Sequence, residues 1–98
     1  MKNLLKKLDK AFENKVRLGI MSVLMVNNEV PFNELKEMLE LTDGNLASHM
    51  KYLEKENYVA VRKSFVNRKP NTVYSVTETG KAAFEGHLNA LEEIIKKL

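Results

Sequence analysis

Few side chains in this sequence have the types and spacing that catalysis requires. Ser48 and His49 are adjacent, but neighbours on a helix point about 100° apart, which is unsuitable for a nucleophile and its base. The sequence has no cysteine, no GxxxxGK and no GxGxxG, so thiolate metal sites and phosphate-binding loops are excluded. His87 has no metal partner three or four positions away. We therefore predict no catalytic residue, metal or cofactor, and leave open a sensor site built from distant residues.

The basic residues offer a different chemistry, the binding of a polyanion. The chain has 16 basic and 13 acidic residues, a net charge of +3. Four cations fall within one stretch that contains no acid: Arg62, Lys63, Arg68 and Lys69. Nucleic acid is the commonest partner of such a patch. The alternative is an ordinary solvated face.

A second set of polar residues shares the outward face of one predicted helix, which begins at Thr42 or Asp43 and ends near Asn57. Leu46, Met50 and Leu53 form its buried stripe. At about 100° per residue, the outward face then carries Gly44, Ser48, Lys51 and Lys55 at its centre, Asn45 and Tyr52 at its flanks, and His49 at the border of the stripe.

These side chains suit the reading of a duplex. Asn45 can pair bidentately with adenine, Ser48 can bond a base edge or a phosphate, and Lys51 can reach guanine or the backbone. Gly44 allows a close backbone approach near the helix N-terminus. His49 either bonds a phosphate or packs beside the stripe, and packing is favoured. An ordinary exposed helix face is the alternative for the whole set.

The elements that carry these residues follow from the apolar periodicity. We predict helices over 1–13, 14–26, 33–40, 42–57 and 78–98, a short strand at 30–32, and a hairpin over 59–76 whose basic tip is 67–71. Asn33 and Thr77 are the expected N-caps. Leu35, Met38 and Leu39 form the expected apolar face of the short helix. Phe65 and Tyr74 are expected to face the core.

Helix, short strand, short helix, turn, helix and hairpin is the order of a winged helix-turn-helix. The sequence therefore predicts a mainly α fold with a small β-hairpin, in which 33–57 form the helix-turn-helix and 58–77 the wing. With 98 residues, a single domain over 1–98 is expected. Arg68 is the best candidate for insertion into a narrow minor groove, and Pro70 is expected to stiffen the turn that presents it.

Three segments within this order resemble the short winged-helix transcriptional regulators related to the MarR and ArsR families. They are LTDGNLASHMKYLEKENYVAV, NRKPNTVYSVTETGKAAF and LNALEEII, and the match covers about residues 9–95. Its most specific parts are Asp43-Gly44-Asn45-Leu46 with Ser48-His49, and Arg68-Lys69-Pro70 with Thr72 leading to Thr77-Glu78 and Gly80-Lys81. The resemblance implies a homodimer that binds operator DNA and controls transcription. The sequence departs from the family at Asn14-Lys15, where a proline often precedes the arginine matched by Arg17, and at Lys69, where a second arginine is usual.

The two ends of the chain carry apolar stripes that a small core cannot cover. Near the C-terminus the stripe comprises Phe84, Leu88, Leu91, Ile95 and Leu98, and near the N-terminus Leu4, Leu5, Leu8 and Phe12. We predict that the helices over 1–13 and 78–98 bury both stripes in a homodimer.

The expected partners are double-stranded DNA and a second copy of the chain, with no membrane partner and a cytoplasmic location. Whether a small-molecule effector exists is unknown. Two alternatives stay open. A winged helix can serve as a protein-interaction module without specific DNA binding, and a single-strand or RNA binder would need exposed aromatic residues, for which Tyr52 is the plausible candidate.

Overall fold

The computed structural model describes residues 2–98, so Met1 of the predicted first helix lies outside the described residues. The helices are α1 (Lys2–Leu5), α2 (Lys15–Met25), α3 (Phe32–Leu39), α4 (Asp43–Lys55) and α5 (Glu78–Lys97), with a 3-10 turn at Lys10–Glu13. The strands are β1 (Val30–Pro31), β2 (Val59–Val66) and β3 (Lys69–Val76). They form an antiparallel sheet in the order β1-β3-β2. The predicted mainly helical winged helix-turn-helix is confirmed.

Side-chain caps set the start of the main helices. Asn14 accepts hydrogen bonds from the first amides of α2, Thr42 from Asn45 N at 3.1 Å, and Thr77 from Gly80 N at 2.9 Å. The predicted cap Asn33 is wrong. Pro31, with φ −65° and ψ 149°, is the N-cap residue of α3 and contributes no side-chain bond. Its ring fixes the extended backbone from which α3 begins at Phe32, two residues earlier than a cap at Asn33 would allow.

One core joins α2, α3 and α4. Its fully buried large side chains are Ile20, Met21, Leu24, Leu35, Leu46, Met50 and Leu53. On α3 the expected apolar face is narrower than predicted, because Leu35 is buried and Leu39 partly buried whereas Met38 is 53% exposed. The buried stripe of α4 is the predicted one, and it fixes which face of that helix points outward.

The predicted continuous helix over 1–13 is wrong. The chain leaves helical geometry after Leu5, and Asp9 is extended at φ −89° and ψ 124°. The Asp9 carboxylate accepts bonds from Ala11 N at 2.9 Å and from the Tyr58 hydroxyl at 2.6 Å, while its amide donates to His87 Nδ1 at 3.0 Å. The bonds to Tyr58 and His87 are tertiary, and the Asp9 amide donates to His87 instead of to a carbonyl one turn earlier, as it would in a continuous helix.

Two residues of the predicted dimer stripes belong to the core of the single chain. Phe12 and Phe84 are 3% and 4% exposed and pack edge to face with ring centroids 5.2 Å apart. The ring of Tyr58 stacks on Phe12 at 5.5 Å. Neither phenylalanine can therefore form a contact surface for a second copy, and including them in the interface was wrong.

The wing spans the predicted residues, but its strands are longer and its turn is tighter than predicted. Val66 pairs with Lys69, so only Asn67 and Arg68 form the turn, with φ of 53° and 67°. Positive φ at both central residues is the hairpin geometry that matches the twist of the strands. Pro70 lies within β3 opposite Phe65, not in the turn. The Thr77 N–Tyr58 O bond shows that odd-numbered amides of this strand face β2, so the nitrogen of Pro70 faces the other edge. There β1 pairs with β3 only at Val30 and Pro31, so no strand needs the missing N–H.

The two aromatic residues of the wing differ in burial. Tyr74 is 7% exposed, as predicted, because it lies at the base of the hairpin beside Phe32. Phe65 is 76% exposed, and its assignment to the core was wrong. Val61 and Lys63 on the same strand face are exposed as well, so alternation along β2 does not imply burial beyond Val59.

Candidate nucleic-acid interface

The outward face of α4 is the polar surface that the sequence predicted. Leu46, Met50 and Leu53 are at most 1% exposed and fix the rotation of the helix. The exposed residues of the opposite face are Gly44, Asn45, Ser48, Lys51 and Lys55, and Tyr52 and His49 are half-buried at one flank. One exposed helix surface therefore presents amide, hydroxyl and ammonium groups together.

Gly44 lies in the first turn of α4. A Cβ at this position would meet no atom within 4 Å. Nothing inside the chain therefore requires a glycine here, in contrast to Gly80. The preceding Asp43 pairs with Lys36 of α3 at 2.8 Å, which partly offsets the acid nearest to the α4 N-terminus.

All four predicted cations of the wing are exposed. Arg68 lies in the two-residue turn, Lys69 follows it, and Lys63 lies along β2. Arg62 differs, because its Nε and Nη2 donate to both carboxylate oxygens of Glu29 at 3.1 Å. These bonds lower the pKa of Glu29. The charge of Arg62 is thus matched by an acid of the same chain.

Helix and wing face each other across an open groove. It is lined by Ala47, Lys51, Glu54, Val61, Lys63 and Tyr74. Lys51 from α4 and Lys63 from β2 both reach this groove, so the outward face of the helix and one face of the wing lie on the same side of the molecule. A single extended anion can contact both.

Arg17 is the residue of this region whose contacts the sequence did not predict. Its Nε donates to Ala11 O at 2.7 Å, its Nη1 lies 3.3 Å from His49 Nδ1, and its Cζ lies 3.9 Å from the ring centroid of Tyr52. It therefore connects the N-terminal segment with α4. The resemblance had marked Arg17 as a family position, but only the tertiary structure gives its partners.

His49 is half-buried at the flank of α4, against Arg17. Burial, followed by the positive charge of Arg17, lowers the pKa of the His49 imidazole. Both effects disfavour the imidazolium. The ring is thus held by a charged neighbour as well as by packing.

Within residues 2–98 no three histidine, aspartate or glutamate side chains are grouped to hold a metal ion. No helix in the same range has the length and apolar character to cross a bilayer.

The comparisons with known proteins point to one family. Residues 16–95 match the family model described as a winged helix DNA-binding domain. The chain is 35% identical over 89 residues to an uncharacterized protein of Methanocaldococcus jannaschii, covering 91% of this chain and 97% of the relative.

Solved structures agree with this match. The transcriptional regulator homologue of Pyrococcus horikoshii is similar with a TM-score of 0.89 and 34% identity, covering 99% of this chain and 97% of that one. HlyU of Vibrio cholerae is similar with a TM-score of 0.67 and 29% identity, covering 86% and 87%. The predicted resemblance to winged-helix transcriptional regulators is confirmed. By its family model, its relatives and its fold, the chain belongs to the winged helix DNA-binding domain family.

Proposed function

We propose that the chain is a transcriptional regulator that binds specific double-stranded DNA sequences as a homodimer. The observation that carries this proposal is that Lys51 of the polar face of α4 and Lys63 of the wing line one open groove. The family match and the similarity to a regulator homologue support DNA as the partner.

In this proposal α4 enters the major groove. Asn45 and Ser48 read base edges, while Lys51 and Lys55 contact guanine or phosphate. Gly44 lets the backbone amides at the start of α4 approach a phosphate closely, because no Cβ intervenes.

The wing binds the flanking minor groove or backbone. Arg68, raised on the two-residue turn, is the residue best placed to enter a narrow minor groove, where the negative potential is strongest. Lys63 and Lys69 contact phosphates. Arg62 contributes less to DNA binding than the sequence suggested, because DNA would have to displace Glu29 from its bidentate pair with Arg62.

A homodimer is supported by the apolar residues that stay exposed on α5 and α1. Their exposed fractions are Leu88 44%, Leu91 38%, Ile95 68%, Leu98 92% and Leu5 53%. Leu4 and Leu8 are half-buried beside them. With Phe12 and Phe84 removed from the set, the proposed interface consists of these seven residues. A two-fold axis through it would present two copies of α4 to one face of the duplex.

The test separates base reading from phosphate anchoring. Asn45→Ala and Ser48→Ala should weaken binding to the preferred site by about 1 to 3 kcal/mol each and leave binding to random duplex nearly unchanged. Arg68→Ala should weaken binding to both and make the slope of log affinity against log salt shallower by about 1. Affinities are measured by fluorescence anisotropy at several salt concentrations.

Asn89 is an exposed asparagine on α5, and Asn89→Ala is the matched control. It should change neither the affinity for the preferred site nor the affinity for random duplex. Equal losses on specific and random DNA for Asn45→Ala would remove that residue from the reading set. A wild-type protein that binds all duplexes weakly and equally would favour the protein-interaction module instead.

A further inference from the structure

The side chain of Arg17 has three contacts that together restrict His49. Its Nε–H is committed to Ala11 O at 2.7 Å, and its planar face lies over Tyr52 with Cζ 3.9 Å from the ring centroid. The guanidinium is thus fixed in position and in plane. Its Nη1 then lies 3.3 Å from His49 Nδ1.

This contact determines which ring nitrogen carries the proton. A guanidinium has N–H donors and no acceptor. Nδ1 of His49 must therefore accept, and the proton of the neutral ring is on Nε2. A second proton on Nδ1 would lie next to the Arg17 cation and is therefore disfavoured. The lowered pKa of the His49 imidazole agrees with this repulsion. Arg17 is the charged group that acts on the ring, and Tyr52 packs on the same guanidinium.

The Nε2–H is directed away from this contact, because the two ring nitrogens lie on different edges of the imidazole. Within residues 2–98 the His49 ring has one hydrogen-bond contact, which joins its Nδ1 to Arg17. His49 is one helical turn from Asn45 on α4, so this donor lies beside the proposed base-reading face. A position at the flank of a helix in the major groove faces the sugar-phosphate backbone.

We propose that Arg17 is a positioning residue that holds His49 as a neutral Nε2–H donor to a DNA phosphate oxygen. This inference rests on the proposed function, because it requires duplex binding through α4. It adds a residue of α2 to the machinery of recognition. It also implies that this phosphate contact keeps its strength across neutral pH, since the ring stays neutral.

The first experiment uses the free protein. The chain has two histidines, so long-range proton–nitrogen NMR spectra resolve both rings and report their tautomers. His49 should be the Nε2–H form in the wild type. Arg17→Met has an unbranched side chain without a hydrogen-bond donor. In this variant the His49 ring should become a mixture of tautomers, and the pKa of His49 should rise. Lys15→Met, an equal loss of charge at an exposed site of the same helix, should leave the ring unchanged.

The second experiment measures DNA affinity against pH. Arg17→Met should lose about fivefold to tenfold at about pH 8. It should regain affinity as the pH falls into the acidic range, because without the Arg17 charge His49 takes a proton more readily and then donates as a cation. Lys15→Met can lower DNA affinity, but its curve of affinity against pH should stay parallel to that of the wild type. A purely structural role of Arg17 would give the same parallel profile.

A pair of substitutions at His49 tests the donor directly. In His49→Gln the side-chain amide reaches the Nε2 position and should retain most of the affinity, whereas in His49→Asn it reaches only the Nδ1 position and should lose about fivefold. Equal affinities of these two variants, or an Nδ1–H tautomer in the wild type, would overturn the inference while leaving specific DNA binding intact. A wild type that binds no duplex would overturn the proposed function and the phosphate contact together, and the NMR result would still report on Arg17.

Discussion

Gly80 is the position where a single methyl group should test the packing of α5 against the helix-turn-helix. A Cβ built on Gly80 would overlap the carbonyl oxygen of Tyr58 and lie 2.9 Å from its carbonyl carbon. The same carbonyl accepts a bond from Thr77 N at 3.0 Å, and the Thr77 hydroxyl donates to Asn57 O at 2.7 Å. The obstacle is backbone held by hydrogen bonds, so it cannot rotate aside as a side chain would.

The expected cost of Gly80→Ala follows from these contacts. Overpacking against fixed backbone costs about 1 to 3 kcal/mol, and weakening the Thr77–Tyr58 bond adds about 1 kcal/mol. The higher helix propensity of alanine offsets about 1 kcal/mol. The net expectation is a loss of about 1 to 3 kcal/mol of unfolding free energy. Gly86→Ala, in the same helix with no atom within 4 Å of a built Cβ, should instead gain about 0.5 to 1 kcal/mol.

Urea unfolding followed by circular dichroism measures both variants. All samples are compared at one protein concentration, because the proposed dimerisation would make apparent stability depend on concentration. The urea midpoints of the two variants should move in opposite directions from that of the wild type. The dependence of unfolding free energy on urea concentration should stay unchanged. If Gly80→Ala were as stable as Gly86→Ala, the close approach of α5 to Tyr58 would be incorrect.

Three further outcomes are expected. Leu91→Glu combined with Ile95→Glu should give a folded monomer by sedimentation with greatly reduced operator affinity, because the substitutions charge the proposed interface; an unchanged dimer would contradict it. Gly44→Ala should leave stability unchanged or raise it by up to about 1 kcal/mol yet weaken binding to DNA by anisotropy, and full affinity would show that no phosphate approaches there. Burial and the bond to Asp9 raise the pKa of Tyr58, so the folded state holds its proton more tightly than the unfolded state. The contribution of Tyr58 to the unfolding free energy should therefore be constant below about pH 10 and fall as the pH rises from there, and Tyr58→Phe should remove that part of the fall in alkaline denaturation.

The helical elements could be predicted because their signals are local. The stripe of Leu46, Met50 and Leu53 and the caps Thr42 and Thr77 act within a few residues of where they occur. The helix-turn-helix, and with it the outward face of α4, follows from such signals alone.

The N-terminal segment could not be predicted in the same way. Leucines at helical spacing favour a helix, but Asp9 bonds to His87 and Tyr58, which lie 78 and 49 residues further along the chain. The same segment brings Phe12 into the core. No local pattern distinguishes a stripe that covers its own core from one that covers a second copy.

The wing and Arg17 show two other limits. Alternation predicts a strand face but not how far the hairpin extends past the core, so Phe65 was assigned to the wrong environment. The pairs Arg62–Glu29 and Arg17–His49 join residues 33 and 32 positions apart. The sequence around a basic residue does not show whether its charge is available to a ligand or is paired with an acid of the same fold.

Selection of bound sequences from a random duplex library tests the central proposal most directly. The account predicts enrichment of a palindrome whose half-sites lie about 10 to 10.5 bp apart, or a multiple of that spacing, because two copies of α4 would enter successive major grooves on one face of the DNA. Asn45→Ala should relax the preference at one position in each half-site. Recovery of a library without any enriched sequence at moderate salt would contradict the account.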